Sequence, residues 1–464
     1  MNWIARARQS PVAVALALLV VAGVAVRIWL AVAYSPAFTG FGDEHEYVSA
    51  AAHGVFSDPQ KPAGYPIFLA LLHVFSNRIE LTIAVQHLLG IATALLLFDG
   101  VRRCGVPSWL GLVPAAVALL AGLGVILEHS LLADPLFAFL QALVIWATIR
   151  SVASDTPRSA VGWAILAGAA AAASFWVKTV GACLVLLLPL LLLAARSPGR
   201  RGLRPAAVAA LVGIVFAVAY VPVQAIATGY FGYQRQSAWN LYGRVATFVD
   251  CGGLHAPSGT GFLCPRQPVS ERAGENYYQY ARAAPAVRRY GGPARAPASA
   301  NAVLLRFSLA AIDAQPLGYL SAIGHGLTLY AFPHGGEGYT PAGIVTALLD
   351  PSGTSSIQAA LGAYYPGARG YSSTGATAVA SYEADTRIEG PLLVVLLAAA
   401  LAAPWLLRER ARWLAWLLLA CALLPILAAE AGNGYDARYG YPALAPLAGA
   451  AALGLWAGAR ALDA

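Results

Sequence analysis

The sequence predicts an all-α polytopic membrane protein of about ten transmembrane helices (ten to twelve). Juxtamembrane helices and a long irregular loop region are expected on its outer face. Three observations predict this. Of the 464 residues, 59% are hydrophobic and 11% charged, whereas a soluble domain carries ~25% charged residues. Apolar runs close to the ~20 residues needed to cross a bilayer recur along the chain. The arginine clusters between those runs all fall on one side of the membrane.

The runs are 11–33, 80–100, 108–127, 129–149, 159–176, 179–195, 205–227, 390–407, 413–430 and 440–458. The first follows Arg6 and Arg8. It resembles a signal peptide, but its length and the lack of a clear small-residue cleavage site read as an anchor. With ten spans, Arg102 and Arg103, Arg150 and Arg158, Arg196 to Arg204, and Arg408 to Arg412 share one side. The positive-inside rule makes that side cytoplasmic, with both termini. The segment 303–333 is apolar but interrupted by Asp313, Gln315, Pro316, Gly324 and His325. Counting it as a span would put Arg408 to Arg412 outside, so it reads as an interfacial or re-entrant helix. The expected organisation is therefore three parts. Residues 1–227 form a transmembrane module with a chemistry-rich first outer loop, 34–79. Residues 228–389 form an outer cap, and 390–464 the C-terminal helices.

The formal net charge is +8, and in such a chain arginines report topology first. No nucleic-acid-binding pattern and no GxxxxGK[ST] phosphate loop stands out, so nucleic acid and direct use of ATP are not indicated. Cys104, Cys183 and Cys421 lie in or beside apolar segments and read as packing residues. Cys251 and Cys264 lie in a polar loop on the outer side, where a disulfide persists. They are expected to pair; the alternative is two free thiols.

Only two of the thirty basic residues are lysines, Lys61 and Lys178. Both fall at ends of apolar segments on the outer side. A compact ammonium suits a phosphate as a point charge and is not interchangeable with arginine; the plain alternative is a lysine snorkelling at a helix end. Lys61 follows an acidic cluster, Gly42-Asp43-Glu44-His45-Glu46-Tyr47, and begins Lys61-Pro62-Ala63-Gly64-Tyr65-Pro66. Tyr65 to Phe75 reads as a helix lying flat on the membrane. Carboxylates such as Asp43 and Glu44 serve as a general base, as metal ligands or merely as solvated loop residues. Glu128 and Asp134 flank the next outer turn, and Asp134 suits the N-terminal dipole of the helix it begins. Val177-Lys178-Thr179 occupies a further outer turn. Tyr435-Asp436-Ala437-Arg438-Tyr439 occupies the last. There Arg438 either takes a phosphate or pairs with Asp436 or Glu430. Separate outer turns thus each offer ionisable groups to one cavity.

This order of motifs resembles the GT-C superfamily of membrane glycosyltransferases, in particular the lipid-carrier-dependent branch of bacterial aminoarabinose transferases and protein O-mannosyltransferases. Asp43-Glu44 followed by Lys61-Pro62 matches that branch in order and placement, with Gln60 where it has a Glu. The resemblance implies an inverting transferase using a polyprenyl-phosphate-linked sugar, with the acceptor open. It implies Asp43 as base or orienter, assisted by Glu44, and Lys61, Lys178 and Arg438 on the carrier phosphate. Asp134, Tyr65 and Tyr439 would shape the sugar or acceptor pocket. No cofactor is implied, although some relatives bind a divalent metal. Two other readings remain: a lipid or glycan transporter, and a lipid-diphosphate-dependent glycan polymerase or ligase. The arginines in 266–306 would suit the latter.

Overall fold

The computed structural model describes residues 11–195, 200–334, 338–350, 355–368 and 375–463. It is built of α-helices, and among the described residues the only β-pairings are two isolated bridges. The first half comprises α1 (Pro11–Ala33), α2 (Gly42–His53), α3 (Gly64–His73), α4 (Ile79–Arg102), α5 (Leu112–Leu120), α6 (Gly122–Glu128), α7 (Asp134–Val152), α8 (Pro157–Val177), α9 (Ala182–Ala194) and α10 (Arg200–Thr228). There follow α11 (Gln236–Phe248), α12 (Glu275–Tyr280), α13 (Pro285–Tyr290), α14 (Ala298–Ala314), α15 (Pro316–Ala331), α16 (Pro341–Leu349), α17 (Ser355–Tyr364) and α18 (Ala376–Thr386). The chain closes with α19 (Gly390–Leu406), α20 (Glu409–Gly432) and α21 (Ala437–Leu462).

Each of the ten apolar runs overlaps helix, although 129–149 starts in the turn before α7. Among the described residues, seven helices are long and apolar enough to cross a membrane singly, and up to nine spans result if each of two bent pairs is one span. The chain is thus a multi-pass membrane protein, and seven to nine of the ten expected spans meet that length and apolarity among the described residues. The tenth candidate, Thr179–Ala194, is shorter. The run 108–127 is broken at Ala121, whose extended backbone turns α6 by 54° from the helix before it. The span beginning at α19 is preceded by α18 at 43°.

The bundle packs through small residues. A Cβ on Gly454 would lie 2.0 Å from the Ala399 carbonyl oxygen, so only glycine lets α21 approach α19 this closely. Such contacts replace the hydrophobic driving force that lipid does not supply between spans. By contrast, Leu186, Leu190, Leu211 and Phe216 project outward as exposed apolar side chains, as a lipid-facing surface requires.

Residues 228–331 are more regular than the irregular cap expected. Alpha11, α12 and α14 share a core of Trp239, Tyr242, Val245, Tyr278, Leu304 and Phe307, separate from that of the bundle. Cys251 and Cys264 are joined by a disulfide within this cap. The segment 303–333 is not one helix but parts of two, α14 and α15. They break at Gln315, just before Pro316, whose ring cannot continue the preceding helix.

Candidate active site

The first connecting segment supplies two of the site's charged residues, Asp43 and Lys61. Asp43 and Glu44 lie not in a loop but in the first turn of α2, where carboxylates are favoured by the unpaired N–H groups and the helix dipole. They point to different tasks. Glu44 is fully buried; its two oxygens accept from the backbone N–H groups of Phe41 (3.1 Å) and Leu131 (3.1 Å). It ties α2 to the turn before α7 and does not reach the cavity. Burial first, then the nearby Asp43 charge, push its carboxyl up to about 8, against the pull of those N–H groups.

Asp43 faces the cavity. Lys61 Nζ donates to its Oδ1 at 2.8 Å and Arg438 Nη1 to its Oδ2 at 2.9 Å. Burial alone would raise its pKa, but Lys61 and Arg438 hold it well below the usual carboxylate range. Lys61 also pairs with Glu46 at 3.2 Å. Burial works against its charge, yet Asp43 and Glu46 keep it firmly protonated.

Lys61 is placed by its neighbours. The Ala63 N–H donates to the Tyr220 hydroxyl (3.0 Å) and the Arg235 N–H to the Pro59 carbonyl (2.7 Å). Gly64 then packs directly on the end of α8: a Cβ there would lie 2.5 Å from the Trp176 carbonyl carbon and oxygen. The Lys-Pro segment is thereby set against Trp176, two residues before Lys178.

Lys178 is the C-cap of α8, in extended conformation. Its ammonium donates to Asp134 Oδ1 and lies 5.1 Å from the centre of the Tyr439 ring. Asp134 is buried at the start of α7 and lies behind Lys178 rather than on the cavity wall. Arg438 begins α21 beside its N-cap, Asp436. The guanidinium donates to Asp436 Oδ2 through Nε (3.1 Å) and Nη2 (2.7 Å) and stacks 4.0 Å over Phe41. Of its two expected partners Arg438 takes Asp436. Glu430 instead receives Arg244.

Asp43, Lys61, Lys178, Arg438 and Tyr439 thus line one cavity of about 550 Å³ between bundle and cap. Tyr65 does not line it. That ring is fully buried behind Tyr47, 4.9 Å centre to centre, with its hydroxyl on Gln86 Oε1 at 2.7 Å. Glu128 is likewise remote, buried in a two-pronged pair with Arg27 (2.7 and 2.8 Å) and bonded to His87 (3.0 Å). Sequence reasoning missed Tyr47, Gln236, Asn240, Asn301 and Asn433, which also line the cavity. Most come from cap segments, where a lone amide carries no signal until the cap folds. Among the described residues, no three His, Cys, Asp or Glu side chains are grouped to hold a metal ion.

No protein-family profile and no curated protein matches the chain. Among solved structures it is similar to ArnT from Cupriavidus metallidurans. The crystal structure bound to undecaprenyl phosphate is 16% identical, covers 89% of this chain and 77% of that chain, and has a TM-score of 0.39. The apo structure is 17% identical, covers 95% and 77%, and has a TM-score of 0.38.

Proposed function

We propose that the chain is a glycosyltransferase that takes its sugar from a polyprenyl-phosphate carrier and works at the extracytoplasmic face of the membrane, with both termini in the cytoplasm. The observation that carries this reading is the convergence of both lysines and Arg438, from three separate segments, on one cavity at the rim of a membrane bundle, with Lys61 and Arg438 sharing Asp43 and Lys178 held by Asp134. Three cations suit one phosphate. The apolar cavity wall formed by Val177, Val180, Leu305 and Ala428 suits the first units of a polyprenyl chain.

In the transfer, the bond between the anomeric carbon and the phosphate oxygen breaks with its electron pair on phosphate. An acceptor hydroxyl bonds to that carbon from the opposite face, which inverts the configuration. The carrier phosphate passes from one negative charge towards two. Lys61, Lys178 and Arg438 meet that growing charge, which is where preorganised cations accelerate most. Asp43, low in proton affinity, orients the acceptor hydroxyl and accepts its proton late, once bond breaking has made the hydroxyl acidic. Because the cations are resident side chains, turnover should not depend on an added divalent metal.

Asp43→Asn tests the assignment. The amide keeps the shape and removes the proton acceptor. Donor binding should persist while release of polyprenyl phosphate from a labelled polyprenyl-phosphate sugar falls by ~10²–10⁴-fold. Unchanged turnover in Asp43→Asn would remove Asp43 from the chemistry. A transporter would tolerate the change and release no carrier phosphate.

A further inference from the structure

The cap carries a second cavity of about 780 Å³, lined by Arg266, Arg288 and Arg289 together with Phe262, Tyr277 and Tyr290. We propose that this groove binds an anionic glycan and holds the acceptor of the transfer, an inference that rests on the glycosyltransferase reading above. The charge is one-sided: residues 251–300 contain six arginines and two glutamates. Glu275, one of those two, is committed to Arg244 at 2.7 Å. Arg272 is committed to the backbone carbonyls of Ala246, Val249 and Gln267. Arg266, Arg288 and Arg289 are exposed around the groove.

The remaining walls are aromatic. Phe262 and Tyr290 meet edge to face at 5.9 Å, with Phe262 40% exposed. Arginine forks bind carboxylate or phosphate groups in two-pronged fashion, and flat aromatic rings offer sugar rings an apolar face. The two together fit a charged carbohydrate better than a neutral one. The volume lies within the ~300–1,000 Å³ usual for ligand sites.

Alpha12 links this groove to the reaction. Tyr277 faces the groove, Tyr278 is buried in the cap core, and Tyr280 accepts a hydrogen bond from Gln236 of the catalytic cavity at 2.8 Å. Three residues of one short helix therefore span from the groove to the cavity. A glycan gripped by the arginines would present its end across α12 towards Asp43.

The test uses full-length protein in nanodiscs and measures binding of a galacturonic acid hexamer against neutral maltohexaose. The hexamer should bind, and more weakly as salt rises. Arg266→Gln/Arg288→Gln/Arg289→Gln should weaken it at least ~10-fold, as three exposed charge pairs allow. Maltohexaose should bind weakly and alike to both. Donor turnover to water by the triple variant, measured in parallel, should match the wild type. Equal binding of neutral and charged hexamers, no binding of the charged one, or full affinity in the triple variant would overturn the groove. Groove binding intact in a protein that shows no donor turnover would instead overturn the transferase reading.

Discussion

Replacing Lys61 by methionine removes one charge and leaves a side chain of similar length. In the resting site the ammonium lies 2.8 Å from Asp43 and 3.2 Å from Glu46, so a phosphate entering the cavity must draw it away from two carboxylates. Asp43 keeps Arg438 at 2.9 Å in the variant and therefore stays ionised. The loss then falls on the phosphate. Two unit charges ~4 Å apart interact by about 4 kcal/mol at an effective dielectric constant near 20. The phosphate gains its second charge only as the sugar departs, so much of this interaction is made in the transition state. Loss of one such group costs about 2.7–4 kcal/mol, or 10²–10³ in kcat. The assay is release of polyprenyl phosphate from a labelled donor at saturation. Lys61→Met should lose turnover by that factor. Lys61→Arg should recover binding better than turnover, because a planar fork does not fit the place of a point charge. A Lys61→Met enzyme within threefold of wild-type kcat, or one changed only in KM, would refute the reasoning.

Other perturbations separate positioning from chemistry. Glu44→Gln replaces one of the two buried oxygens that face the Phe41 and Leu131 N–H groups with an NH₂. It should lower thermal stability by ~1–3 kcal/mol while the folded fraction keeps near-normal kcat, measured by heating scans beside turnover. Glu46 is pushed up to about 7 by burial, opposed by Lys61 and reinforced by Asp43 and Asp58. It is neutral below that pH and ionises as pH rises through it, then competes for Lys61. Donor binding, a phosphodiester with constant charge in this range, should weaken severalfold from pH 6 to pH 8, and Glu46→Gln should flatten the profile. Gly64→Ala forces a methyl into the Trp176 backbone, should cost ~1–3 kcal/mol and should lower kcat by separating Lys61 from Lys178.

Much of this was legible in the chain because membranes impose one-dimensional rules. Length and apolarity mark the spans at Pro11–Ala33, Ile79–Arg102 and Glu409–Gly432 without reference to neighbours. The rarity of lysine singled out Lys61 and Lys178, and their order relative to Asp43 and Arg438 pointed to one cavity. What was not legible depends on direction. Asp43 and Glu44 are adjacent, but about 100° apart around α2, so one meets Lys61 and the other a buried backbone. Tyr65 and Asp134 sit one layer behind the cavity, a distinction of a few ångströms that no spacing rule carries. The break of α5 from α6 at Ala121 has no proline, and Gly122 beside it is one of many glycines in apolar runs and does not by itself mark a bend. Arg27, buried in the first span, is paired with Glu128 a hundred and one residues away, a partnership that no spacing rule carries.

The most direct measurement is equilibrium binding of polyprenyl phosphate and of the uncharged polyprenol to the purified protein, wild type and Lys61→Met/Lys178→Met. Charge-assisted hydrogen bonds contribute ~1.5–3 kcal/mol each. The wild type should therefore prefer the phosphate by ~10²-fold or more, and the double variant should lose most of that preference while binding polyprenol as before. Equal affinity of the wild type for phosphate and alcohol, or a preference untouched by loss of both lysines, would contradict the account.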